Sequence, residues 1–121
     1  MKLSGVMLGS EDSKKLGEFY TKIFGKPGWQ NDDWYGFMIG QANLMIGPHS
    51  DVKGKNSMPG RIMFTLDSED VKADFSKIKA TGAEVIAEPY NPSGKDEDNM
   101  WLATFADPDG NYFQLATPWK E

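Results

Sequence analysis

The 121 residues fit one domain and leave little room for a second. With no cysteine there are no disulfides, thiolate metal sites or thiol nucleophiles, and a single histidine, His49, excludes a two-histidine metal site within one chain. Lysine and arginine number 13 against 18 aspartates and glutamates, a net charge of −5 that argues against a nucleic-acid partner.

In chain order, the start Met1-Lys2-Leu3-Ser4-Gly5-Val6 lacks the apolar block and cleavage site of a signal peptide. No later stretch is apolar for the roughly 20 residues that a bilayer span takes. The expected location is the cytoplasm, with no membrane partner. A strand is predicted over 5–8. Leu16, Phe19, Tyr20, Ile23 and Phe24 then recur at helical spacing between Asp12-Ser13 and Gly25, which predicts a helix over Ser13–Phe24. Strands are predicted over Trp34–Ile39 and 43–46, separated by Gly40-Gln41-Ala42 and followed by a long polar loop over 48–60. Over 61–66, Ile62, Phe64 and Leu66 alternate with Arg61, Met63 and Thr65, so one set is expected beneath a helix and the other on the opposite face. Val71, Phe75 and Ile78 predict that helix over 71–81, with Asp70 before it and Gly82 after it. Further strands are predicted over 84–87, 101–106 and 112–117. Asp107-Pro108-Asp109-Gly110 joins the last two, proline suiting the second turn position and glycine the left-handed one.

The chain repeats itself. Ser10-Glu11-Asp12 returns as Ser68-Glu69-Asp70, and Val6-Met7-Leu8 as Phe64-Thr65-Leu66, each about half a chain length later. Such a period indicates a duplicated module, about 1–58 and 59–121, within one domain. Each copy reads as a strand, a helix and two or three strands, an α+β pattern.

Val6-Met7-Leu8, Asp12, Phe19-Tyr20, Gly25, Asp70-Val71, Gly82-Ala83 and the run Phe105 to Leu115 around Asp107-Pro108-Asp109-Gly110-Asn111 together resemble the vicinal oxygen chelate superfamily. That superfamily includes glyoxalases, bleomycin-resistance proteins and extradiol dioxygenases. The resemblance covers nearly the whole chain. It implies two βαβββ modules whose curled mixed sheets form a half-open barrel around a cavity, and it implies a homodimer. It does not fix the chemistry. The positions that hold metal in metal-dependent members fall here on Gly5, Met45, Met63 and Gln114. With the register shifted by two, Arg61 takes the place of Met63. A hard divalent cation needs imidazole or carboxylate donors, and these residues supply none, so no metal and no cofactor are expected.

The remaining candidates each have two readings. Trp34 and Trp101 line a ligand cavity or fill the core. Met45 and Met63 offer soft walls to a flat ligand or serve as core filler. Gln114 orients a polar ligand atom or satisfies the sheet. Arg61 is an anion clamp or a solvated strand end. Tyr112, His49 or a loop carboxylate would supply a base if there is catalysis, though a loop histidine is ordinarily solvated. Lys95-Asp96-Glu97-Asp98 reads as solvated loop, and Asp107 and Asp109 as turn residues. Three functions stay open. One is a metal-free protein that binds a small aromatic or cationic amphipathic molecule, the acidic charge favouring a cation. The second is a glyoxalase-like lyase or isomerase. The third is a dimeric interaction domain with a filled cavity.

Overall fold

Asp12 and Asp70 start the two helices. Each side chain accepts a hydrogen bond of 3.1 Å from a backbone amide of the first turn, Lys15 and Ala73 respectively. They cap α1 (Ser13–Phe24) and α2 (Val71–Ala80). The computed structural model describes residues 1–119, the side chain of Asp96 excepted, and the chain forms two compact units, Met1–Lys55 and a second that begins at Asn56.

The first unit runs β1 (Gly5–Ser10), α1, β2 (Trp29–Asn31), β3 (Trp34–Ile39) and β4 (Ala42–Pro48). Its sheet has the order β1-β4-β3-β2, with β1 parallel to β4 and the other pairs antiparallel. The helix buries Leu16, Gly17 and Tyr20, and Phe24 meets Phe37 of β3 with ring centroids 5.9 Å apart. Tyr35 and Phe37 therefore face α1, and the residues alternating with them face away.

The second unit repeats the plan with β5 (Phe64–Asp67), α2, β6 (Glu84–Tyr90), β7 (Leu102–Ala106) and β8 (Tyr112–Ala116), in the order β5-β8-β7-β6. Four aromatic rings join helix to sheet. Phe75 of α2 stacks on Phe105 at 5.1 Å, Phe105 on Phe113 at 5.7 Å, and Phe113 on Phe64 at 5.5 Å. Full burial of a side chain of this size is worth about 1.5–3 kcal/mol, so this row is a principal anchor of α2. Each sheet remains open at both edges among the described residues. The fold is α+β, built from two copies of one module.

Several boundaries differ from the sequence reading. The short strand β2 is absent from it. β5 begins at Phe64 because the chain before it turns, with the Arg61 amide donating to the Met58 carbonyl at 3.1 Å. Ile62 is consequently 78% exposed instead of lying under α2. β6 continues to Tyr90, and the following loop holds a short 3-10 turn, Asp96–Asp98. Among the described residues, no helix is long and apolar enough to cross a membrane.

Candidate functional site

The sheet faces turned away from the helices differ in chemistry between the two modules. In the first, Trp34, Gly36, Met45 and Gly47 share that face by alternation and register. Trp34 lies flat across Gly47, so that a Cβ there would run into the indole ring. At Gly36 a Cβ would meet the Trp29 ring at 3.5 Å and the Met45 sulfur at 3.6 Å. Glycine in the floor thus lets large apolar side chains lie on the sheet. In the second module the centre of the corresponding face is polar. Thr65, Gln114 and Thr104 are neighbours across β5, β8 and β7, and Gln114 Nε2 donates to Thr65 Oγ1 at 2.8 Å.

A pocket of about 510 Å³ lies in the second module, lined by Ser57, Met58, Pro59, Gly60, Arg61 and Tyr112. Tyr112 opens β8 directly after the hairpin turn. That turn closes as its chemistry requires: the Asp107 amide donates to the Asn111 carbonyl at 2.9 Å, and Gly110 takes a positive φ of 81°. The buried Asp107 carboxylate accepts from the amides of Asp109 and Asn111 and from Asn111 Nδ2. Asn56 then ties the pocket loop to this turn. Its amide donates to the Asp109 carbonyl at 2.8 Å, its Nδ2 to Asn111 Oδ1 at 3.0 Å, and its Oδ1 accepts from the Met58 amide at 2.9 Å. Loop and strand end are held by one polar cluster.

The structure brings Arg61 and Tyr112 together in this pocket and groups Trp34 with Met45 on the first sheet. Met63 lies immediately before β5, half-buried. Trp101 stands on the α2 side: the Lys72 ammonium sits 4.0 Å from its ring centroid, and its amide donates to Thr117 Oγ1. It is therefore not grouped with Gln114. His49 is exposed in a turn where its Nδ1 accepts from the Asp51 amide at 3.1 Å. The sequence reading treats residues 56–60 only as loop and so misses Asn56 and the pocket wall. Their signal was Pro59-Gly60 ahead of Arg61, which is the only arginine in the sequence.

The positions implied for a metal do not suit one. At Gly5 a Cβ would strike the Asn43 carbonyl oxygen, so no ligand side chain fits there without moving backbone. Met45 offers a thioether that packs beside Gly36, and the Gln114 amide is engaged with Thr65. Among the described residues no three His, Asp or Glu side chains stand close enough to share an ion.

Two duplicated βαβββ modules, each with an open mixed sheet, define the glyoxalase and bleomycin-resistance class of fold. The sequence model of the glyoxalase-like domain matches residues 5–116, and the chain belongs to that family. No curated protein matches the sequence. Among solved structures, the chain is similar to a member of the glyoxalase/bleomycin resistance protein/dioxygenase superfamily from Sphaerobacter thermophilus (18% identity, 98% of each chain covered, TM-score 0.72). It is also similar to a lactoylglutathione lyase from Agrobacterium tumefaciens (18% identity, 96% of this chain and 92% of that one, TM-score 0.70). A third is a genomically encoded fosfomycin resistance protein from Listeria monocytogenes (18% identity, 98% and 93% covered, TM-score 0.66). At such identities the likeness is one of fold.

Proposed function

We propose that this protein binds a small organic molecule, without a metal ion, in the pocket between the 57–61 loop and Tyr112. The observation that carries this reading is the pocket itself. It is a depression of about 510 Å³ that is widely open to solvent, with Ser57, Met58, Gly60 and Arg61 exposed, and its lining is mainly apolar with a few polar groups, the composition of small-molecule sites. Met58, Pro59, Gly60 and the Tyr112 ring supply the apolar wall. Ser57, Arg61 and the Tyr112 hydroxyl supply the polar groups. The lining carries no imidazole or carboxylate and includes a cationic arginine, which supports a site that works without metal.

The competing reading is a lyase or isomerase, which requires a base within reach of a reacting proton. The pocket lining contains no carboxylate or imidazole to deprotonate Ser57 or Tyr112. Binding is therefore favoured over catalysis. The test is a thermal-shift screen of small organic molecules, followed by mapping of backbone amide shifts. Hits that perturb Met58, Gly60, Arg61 and Tyr112 and are recovered unchanged support binding. A hit that is chemically converted would favour the lyase or isomerase, and hits that perturb only other residues would overturn the pocket assignment.

A further inference from the structure

Building on the pocket reading above, we infer that the ligand is a monoanionic organic acid, with its carboxylate on Arg61 and its apolar body against Met58, Pro59 and the Tyr112 ring. The argument starts from charge. Acidic residues outnumber basic ones, 18 to 13, yet the one arginine of the chain, exposed, lines this open pocket, and no carboxylate is among the lining residues. Among the described residues, its side chain makes no hydrogen bond or ion pair, and the one ion pair found joins Lys53 to Glu11. Arginine is suited to this role because its planar fork binds a carboxylate through two parallel hydrogen bonds, and such charge-assisted bonds are about twice as strong as neutral ones.

The rest of the lining fits the same ligand. The hydroxyls of Ser57 and Tyr112 likewise have no partner among the described residues and can each donate one further hydrogen bond to an acid oxygen. The remaining lining is mainly apolar and offers contact area to the organic body of such a ligand, which a small inorganic anion lacks. The lining contains no second cation, so it can balance one negative charge and not two or three. In a protein of net charge −5, a phosphate or polycarboxylate would carry uncompensated charge into the site. This reverses the preference for a cationic ligand that the overall charge suggests, because local charge at the pocket outweighs the mean.

The experiment compares matched probes on the full chain at low salt: phenylacetate and indole-3-acetate, their primary amides, and phenylphosphonate. Calorimetry gives affinity and amide shift mapping gives location. The acids are expected to perturb Met58, Gly60, Arg61 and Tyr112, to bind about tenfold or more tighter than the amides, and to exceed phenylphosphonate. Arg61→Gln, an exposed position whose loss leaves no buried group unpaired, is expected to abolish the preference for acid over amide. Tyr112→Phe keeps the ring and is expected to weaken the acids by a few-fold only. Acids and amides that bind equally at these residues, or an acid affinity unmoved by Arg61→Gln, would overturn the inference and leave the pocket reading standing. Tighter phenylphosphonate binding would replace carboxylate by a dianion and overturn it too. If no probe perturbs these residues, the inference falls, and the pocket reading is decided by the broader screen above.

Discussion

Asn56 and Asn111 are joined side chain to side chain, with Nδ2 of the first donating to Oδ1 of the second at 3.0 Å. Asn111 in turn donates to the buried Asp107 carboxylate at 3.0 Å. The pocket loop is thus fastened to a hairpin turn that is itself cross-linked by hydrogen bonds to Asp107, although the two lie far apart in sequence.

Removing this tie should loosen the pocket without unfolding the chain. Asn56 is exposed, so Asn56→Ala leaves no cavity and removes two side-chain hydrogen bonds. A loss of about 1 kcal/mol is expected in urea denaturation. Affinity for pocket ligands is expected to fall several-fold, since the loop must then be ordered on binding. Unchanged affinity alongside the stability loss would mean that the loop is positioned by other contacts.

Gly17 offers a test in which helix propensity and packing oppose each other. Alanine within a helix is ordinarily favoured over glycine by about 1 kcal/mol. Here the added Cβ would lie 2.5 Å from Cδ1 of the buried Tyr35 ring. Overpacking of this kind costs about 1–3 kcal/mol, so Gly17→Ala is expected to be destabilising on balance. A raised Tm would show that Tyr35 yields easily and that the contact between α1 and β3 is loose.

Metal content follows from the donor inventory. Elemental analysis of protein purified without chelator is expected to find much less than one equivalent of zinc, nickel, iron or manganese, and dialysis against EDTA to leave Tm unchanged. Gln114→Glu should not create a metal site, because Gly5 admits no side chain and Met45 offers only a thioether. One equivalent of metal that disappears in Gln114→Ala would reverse this conclusion.

Assembly is a separate proposal. Met7, Met38 and Trp29 of the first unit are 46%, 67% and 48% exposed, and grouped apolar side chains of this size ordinarily mark a contact surface. Sedimentation at micromolar concentration is expected to report twice the 13.5 kDa of one chain, and Met38→Asp to shift the population toward monomer. A wild-type chain that sediments at 13.5 kDa would count against the dimer.

The helices were legible because each carries both a period and a cap: Asp12 and Asp70 bond the first turns as their positions suggest. The central strands were legible through alternation, and Asp107 to Gly110 through turn chemistry. What stayed hidden depends on a partner far away in the chain. Trp29-Gln30-Asn31 is too short to show a pattern and becomes a strand only by pairing with β3. Arg61 and Ile62 alternate like strand residues, but the turn from Met58 takes them out of the sheet. Trp101 looks like any strand aromatic, and only Lys72 on α2 reveals its side. Arg61 and Tyr112 were both legible as candidates. Their shared pocket was not, because Asn56 unites them through a turn some fifty residues downstream, and no local pattern encodes that bond.

The pocket, its loop and the turn that steadies it all belong to residues from Asn56 onward. The duplication thus leaves the two copies unequal in what they expose. Under the proposed binding reading, changes at Ser57, Met58 or Tyr112, all in the second copy, would reshape the wall and alter ligand preference. The first copy, with its glycine-floored face of methionine and tryptophan, contributes no residue to that lining. If both proposals hold, an engineer would retune recognition in the later half of the coding sequence and adjust assembly in the earlier half.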